Sequence, residues 1–225
     1  MFLRHAKFDP DKARGRIAAV ERWLHDCRNE IGDISTLRGP MFSEMYGQNF
    51  LGILGPVAER RTREGAVISV LLPHNMQPLN DPSMLLKWNV WMLSRAVHDP
   101  YIQVCGQIVL ETFENFSLLH SIRFQQVPHA IMKKNFKFAQ ECMPFRMRGI
   151  WLVHQPKWIG ILFALAKPFL SSKLRARVRM FGSDVESLHQ LIDPSVLPAA
   201  FGGSHPDCGA AWFAAELERE EKEER

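Results

Sequence analysis

Between Glu141 and Asp184 the chain has no acidic residue, although its 225 residues carry 24 of them elsewhere. Arg146, Arg148, Lys157, Lys167, Lys173, Arg175, Arg177 and Arg179 all fall in that window. The net charge is +4, so everything outside the window sums to −4. Long apolar runs are also missing. A membrane-spanning helix needs roughly 18 apolar residues, and WIGILFALA at 158–166 stops well short, on Lys167-Pro168. Arg4, His5 and Lys7 interrupt the N-terminus, which does not read as a signal peptide. Cys27, Cys105, Cys142 and Cys208 form no C-x-x-C pair, so neither a zinc site nor a disulfide framework is indicated. A reduced, cytoplasmic setting follows.

The motifs of catalysis are absent as well. There is no G-x-S-x-G elbow, H-E-x-x-H helix, phosphate-binding G-x-x-x-x-G-K loop or G-x-G-x-x-G turn. The nine histidines include no pair four apart, and a lone one such as His154 is expected to be packed or hydrogen-bonded. No catalytic or metal-ligating set is legible, which favours a binding role over an enzyme. A modest positive charge permits an anionic partner without choosing between nucleic acid and membrane.

What is present is a globular composition, 46% hydrophobic and 23% charged, long enough for a substantial core. Asp9-Pro10 predicts a helix over 8–26 with Ile17, Val20 and Leu24 at helical spacing. Breakers at Gly32, Gly39-Pro40 and Gly55-Pro56 predict mostly linker over 32–64. AVISVLL (66–72), GQIVLETF (106–113) and GIWLVHQP (149–156) read as buried strands. Helices are predicted from Asp81-Pro82 to about Val97, over 129–143, over 158–166, and from Ser183, which stands at capping-box spacing from Glu186. Strands alternating with helices predict an α/β fold with a largely parallel sheet. The closing ELEREEKEER (216–225) reads as a solvated helix end or frayed tail.

The acid-free window needs its own reading. Taken as a helix over 168–181, it gathers Leu170, Leu174, Val178 and Phe181 into one apolar stripe. Lys173 and Arg177 flank that stripe, and Arg175 and Arg179 lie on the far side. Arg146 and Arg148, two apart in an extended segment, point one way. These four cations converge if the strand entrance and the helix are neighbours. Any single one is an ordinary solubilising residue; eight without an acid are harder to dismiss, because surfaces mix signs. The helix at 158–166 is apolar all round, so it is either buried or covers something apolar. From the residues alone the buried helix is the simpler reading. Greasy and cationic elements in tandem also suit a membrane interface.

In order and spacing, MPFRMRGIWLVHQP, KPFLSSKLRARV, GSDVESLHQLI and LPAAFGG resemble the CRAL-TRIO lipid-binding family, nearest to its clavesin, retinaldehyde-binding and tocopherol-transfer branches. FLRHAKFDPDKA and DPYIQVCGQIVLETFENFS add to the resemblance. It implies an α/β domain whose mostly parallel sheet floors a hydrophobic cavity, closed by a gate helix at 158–166. A truncated helical N-terminal domain (1–40) then precedes the lipid-binding domain (41–203) and an acidic tail (204–225). By analogy with the tocopherol-transfer branch, Arg146, Arg148, Lys173 and Arg177 are the phosphoinositide-binding positions. The pocket positions carried over are Glu111, Leu118, Phe138, Ala139, Met143, Phe145 and Ile150, with Phe163 and Phe169 at the gate and its hinge. Glu111 matches a pocket glutamate of the retinaldehyde-binding branch. A buried carboxylate needs a partner, either a ligand group or a structural one. Thr112 and Asn115 stand where many relatives carry Asp and Gly; Asn tolerates a left-handed turn.

The resemblance therefore implies a cytoplasmic carrier without cofactor, metal or enzymatic activity. It would hold one small lipophilic ligand (tocopherol, retinoid or similar) and dock peripherally, as a monomer, on endosomal or other phosphoinositide membranes. No nucleic acid partner is expected. The competing reading is a phosphoinositide-binding trafficking adaptor that transfers nothing.

Overall fold

The Asp9 carboxylate accepts the amide N–H groups of Asp11 and Lys12, and Pro10 presets φ at the first helical position. The first long helix starts there, as its sequence predicts. The computed structural model describes residues 1–43, 55–75, 79–96, 98–117, 119–120, 127–167, 172–206 and 209–223.

Along the chain run α1 (Phe2–His5), α2 (Pro10–Asp26), α3 (Arg28–Ile31) and two 3-10 turns, followed by β1 (Gly55–Arg61), β2 (Val67–Leu71), α4 (Met84–Ala96) and α5 (Pro100–Val104). Then come β3 (Gln107–Thr112), α6 (His129–Lys137) with a π turn (Phe138–Cys142), β4 (Met147–Val153), α7 (Lys157–Ala166), α8 (Ser172–Arg175), β5 (Val178–Gly182), α9 (Val185–His189) and α10 (Ala210–Glu223). The sheet order is β1-β2-β3-β4-β5. β1 is antiparallel to β2, and β2 through β5 are parallel. The α/β class with a mostly parallel sheet is the one expected from sequence.

The register divides the sheet's side chains cleanly. Val67, Ser69, Leu71, Val109, Glu111, Ile150, Leu152, Val178 and Met180 share one face, because side chains alternate along paired strands. Ile68, Val70, Ile108, Leu110, Trp151 and Arg179 share the other. The first face meets α4 to α6: Ser69 and Gln107 border Trp88, Met92, Phe138 and Phe145, and Val67 packs with Ala96 and Ile102. A parallel run in sequential order, with crossovers of uniform right hand, places every crossover helix on that same face. So α7, between β4 and β5, lies over it too. The second face meets α9, with Trp151 against Phe181 at 5.8 Å.

Several expectations need correction. The predicted linker contains β1, an edge strand, where a proline such as Pro56 is tolerated. On α2 the buried positions are Ala13 and Trp23, while Ile17 is 40% exposed. Trp23 is fully buried; its indole donates to the Lys134 carbonyl at 2.8 Å and its ring meets Phe138 at 4.8 Å. The last helix before the C-terminal segment is capped by Asp184, not Ser183, with its carboxylate accepting the Ser187 N–H at 3.0 Å.

The acid-free window differs most. Among the described residues of 168–181 only Ser172–Arg175 is helical; the chain then turns and pairs with β4 as β5. The reason is visible in Arg175-Ala176-Arg177-Val178-Arg179-Met180, which alternates with period two and meets an open strand edge at Ile150. The predicted stripe of Leu174, Val178 and Phe181 therefore does not exist as one helix face. Leu170 lies outside the described residues.

The acidic segment is not a frayed tail. It forms the second half of α10, packed against β1, with Glu216 and Glu220 buried.

Candidate functional site

Glu111 stands near the end of β3 on the crossover face, between Leu71 and Leu152 in register. Burial pushes its carboxyl up to about 7, and no hydrogen bond or ion pair reaches it among the described residues. Yet part of its surface is uncovered. Ile150, Val178 and Met180 on the same face are also only partly covered, whereas Val109 and Leu152 are buried. The β3–β5 half of this face is thus less completely covered than its centre.

α7 lies over this half. Trp158, Ile159 and Phe163 are only half-buried and Ile161 is 63% exposed; none of its described side chains is fully buried. The described side chains of α7 are thus not those of a helix buried on every side. Its N-terminal root is well tied. Trp158 stacks on Phe116, with centroids 6.0 Å apart and planes 29° from parallel, and Phe116 meets Phe113 at 5.3 Å. Asn115 makes the turn between those phenylalanines with φ +60°, as its tolerance of that region allows. His154 lies 3.1 Å from the Thr112 hydroxyl, and the Gln155 side-chain Oε1 accepts the Gly182 N–H. A lone histidine here is hydrogen-bonded, as expected. At the other end, the Lys167 ammonium sits over the Phe163 ring at 5.6 Å.

The other pocket positions separate. Phe138, Met143 and Phe145 line an enclosed cavity of about 40 Å³ at the opposite end of β3, together with Ser69 and Gln107. Ile150 is on the partly covered face with Glu111. Ala139 is exposed, since the π turn aims Phe138 and Cys142 inward. Leu118 and Phe169 lie outside the described residues.

The four predicted cations gather at the N-terminal edge of β4 and β5. Arg146 and Arg148 lead into β4, and Arg177, whose carbonyl accepts the Ile150 N–H, leads into β5 from α8, which carries Lys173. Gly106, at φ +82°, lets β3 begin directly against the Arg146 backbone, where a Cβ would collide. A register irregularity near Met147 breaks the simple alternation between Arg146 and Arg148. Arg148 Nε reaches back to the Cys105 carbonyl at 2.8 Å. The positive charges of both Arg146 and Lys173 are felt at His5 on α1. Among the described residues no carboxylate pairs with Arg146, Lys173 or Arg177, whereas Lys12, Lys87, Arg95, Lys134 and Lys137 all have acidic partners. Arg179 lies on the other sheet face, its guanidinium over Trp151 at 5.3 Å.

Sequence reading missed His5 and Arg16, which border the same cationic edge, and the Phe116–Trp158 stack. Nothing local marks any of them, because each depends on elements brought together across the fold. Among the described residues no helix is long and apolar enough to cross a membrane, and no group of His, Cys, Asp and Glu could hold a metal ion.

Clavesin-1 of Rattus norvegicus is 34% identical over 162 residues, 72% of this chain and 45% of that protein. Alpha-tocopherol transfer protein-like of Mus musculus is 29% identical over 223 residues, 98% of this chain and 62% of that protein. The chain thus spans about half the length of such curated relatives (45% and 62%). A solved structure titled "Crystal structure of Sfh5" covers 99% of this chain and 79% of its own, at 12% identity and a TM-score of 0.48, a loose likeness. Residues 56–203 match the family model of the CRAL/TRIO domain, and that match takes in the whole parallel sheet and its crossovers. The chain belongs to the CRAL/TRIO domain family.

Proposed function

We propose that this chain carries one small lipophilic molecule in the space between the β3–β5 face and α7, and exchanges it at phosphoinositide-bearing membranes. The observation that supports this most is Glu111, partnerless among the described residues on a partly covered sheet face, with an apolar helix nearby in the chain whose described side chains are not fully buried. A ligand with a long apolar body and one hydrogen-bonding group suits such a site, because apolar walls with few polar groups fix orientation. A relative named for α-tocopherol transfer points the same way. Burying roughly 500 Å² of ligand at about 25 cal/mol/Å² gives on the order of 12 kcal/mol gross, reduced by association costs. Release then needs help, and opening of α7 at a membrane supplies it. The acid-free edge with Arg146, Arg148, Lys173 and Arg177 is the docking face in this reading.

Organic extraction of the purified chain followed by mass spectrometry tests the proposal. One small lipophilic molecule per chain is expected, either retained from the host or taken up from retinoid, tocopherol, sterol and phospholipid mixtures. A chain that stays lipid-free and takes up none of these is no carrier. If it then still binds phosphoinositide vesicles, it is the adaptor instead.

A further inference from the structure

Two polar side chains stand where the sheet core is otherwise apolar. Ser69 on β2 and Gln107 at the start of β3 are buried, at 1% and 5% exposure, and the Gln107 amide donates to the Ser69 hydroxyl at 2.7 Å. Both line the small cavity of about 40 Å³ on the crossover face, among Trp88, Phe138 and Phe145. Asn89 of α4 lines it too, and its own amide donates to Asn135 at 2.7 Å.

A glutamine amide has one end that donates and one that accepts. Ser69 engages one end of Gln107, and no hydrogen bond reaches the other among the described residues. Turning the amide over leaves this unchanged, since a serine hydroxyl donates as readily as it accepts. The Asn89 carbonyl is likewise without a partner among the described residues. Buried polar atoms left unpaired are costly. Around one cavity they call for an oxygen that both donates and accepts, which is what a hydroxyl does. The cavity has room for it, because a water-sized group needs about 10–15 Å³ of such volume.

This cavity has a fixed relation to Glu111. Gln107, Val109 and Glu111 alternate onto one face of β3, with Ser69 beside Val109 and Leu71 beside Glu111 on β2. Strand rise puts Gln107 and Glu111 about 13 Å apart, at about 3.3 Å per residue. Between them β3 presents only the apolar Val109 to this face.

We propose that the cavity is a second polar subsite of the lipid site, in which Gln107 and Ser69 hold a hydroxyl at the far end of the ligand. The carried molecule is then a long apolar body with a hydrogen-bonding group at each end, one at Glu111 and one about 13 Å away. That is the class of lipids oxidised at the distal end. The inference rests on the carrier reading above and narrows its ligand. It makes Ser69 and Gln107 determinants of selectivity, since a site built to hydrogen-bond a hydroxyl rejects the analogue that lacks it.

Displacement of a fluorescent lipid from the full chain tests this, using straight-chain α,ω-diols and the matching mono-alcohols over a range of lengths. For wild type, diol affinity should pass through a maximum where the two oxygens lie about 13 Å apart. There it should exceed that of the mono-alcohol by about 2- to 10-fold. Mono-alcohols should show only the steady gain of each added methylene. Ser69→Ala combined with Gln107→Leu removes both partners together and leaves neither orphaned by the other. This double variant should keep its affinity for mono-alcohols and bind the diols more weakly than them, because the distal hydroxyl is then buried without a partner. The length optimum of wild type stands as a test whether or not that variant folds. If diols show no optimum and no advantage over mono-alcohols in wild type, or only mono-hydroxylated lipids are taken up, the pair serves the fold alone. The second subsite then falls while the carrier reading stands. If no lipid enters, the fluorescent one included, the carrier reading itself falls.

Discussion

Glu220 accepts the Trp91 indole N–H at 3.0 Å with one carboxylate oxygen and the Gly39 amide N–H at 2.6 Å with the other. One side chain of α10 thus ties the acidic C-terminal helix to α4 and to the turn before β1. The approach is tight, since a Cβ on Gly39 would collide with Leu217. Glu220→Ala leaves two buried donors without acceptors, at about 1–3 kcal/mol each. The expected result is a melting temperature lower by on the order of 10 °C, with Glu220→Gln milder because one acceptor survives. A shift under about 2 °C for the alanine variant would return the segment to the surface tail its sequence suggests.

That segment shows where sequence reading stops. Six glutamates over 216–225 look solvated, and only the placement of Phe213, Leu217 and Glu220 three to four apart hints at a packed face. The central strands were legible because Ala66–Leu72 and Gln107–Thr112 are β-branched and apolar, buried on both faces as parallel strands are. The basic stretch was misread because 168–181 fits a helical stripe when angles alone are counted. The alternation of Arg175, Arg177 and Arg179 with Ala176, Val178 and Met180 was the better signal. Adjacency of β4 and β5 puts the two chain entries that carry Arg146, Arg148, Lys173 and Arg177 at one sheet edge without a long helix. His5 and Arg16 could not be found, since only the docking of α1 and α2 near that edge brings them there.

Glu111 makes a prediction about pH. Its folded pKa of about 7 lies above the ordinary 4.5, so the protonated carboxyl stabilises the fold fully below about pH 4.5. That contribution is lost as pH rises through about 7, with a limit of about 3 kcal/mol at 1.36 kcal/mol per unit. Glu111→Gln stays neutral, so the ligand-free variant should outlast wild type at about pH 8 and match it near pH 5. Its ligand preference should shift toward molecules that accept a hydrogen bond. Parallel stability curves across this range would mean that Glu111 has a partner that holds its charge.

The Phe116–Trp158 stack fastens the root of α7. Such aromatic pairs contribute about 0.5–1.5 kcal/mol beyond their burial, or about 2- to 10-fold in an equilibrium. Phe116→Ala should speed spontaneous loss of bound lipid by about that factor in stopped-flow measurements. Phe163→Ala should do the same from the middle of the helix. An unchanged release rate with a sharply lower melting temperature would make both rings structural and leave α7 without a gating role.

The acid-free edge gives the sharpest contrast between residues. Charge reversal at Arg146, Arg148, Lys173 and Arg177 should abolish binding to phosphoinositide vesicles, and reversal at Arg175 and Arg179 should do much less. The reason is now a matter of strands. The four stand where β4 and β5 begin, with Arg146 and Lys173 both felt at His5. Arg179 lies on the other sheet face, stacked over Trp151. Arg175, at the end of α8, is exposed to solvent. At about 1 kcal/mol per cation near an anionic surface, loss of four removes about 4 kcal/mol, or roughly a thousandfold in affinity. Lipid occupancy in solution should survive, because the ligand site proposed beside Glu111 is separate from this edge. Transfer between vesicles should stop. If Arg175 and Arg179 matter as much as the four, attraction follows net charge alone, and no headgroup site is built into the edge.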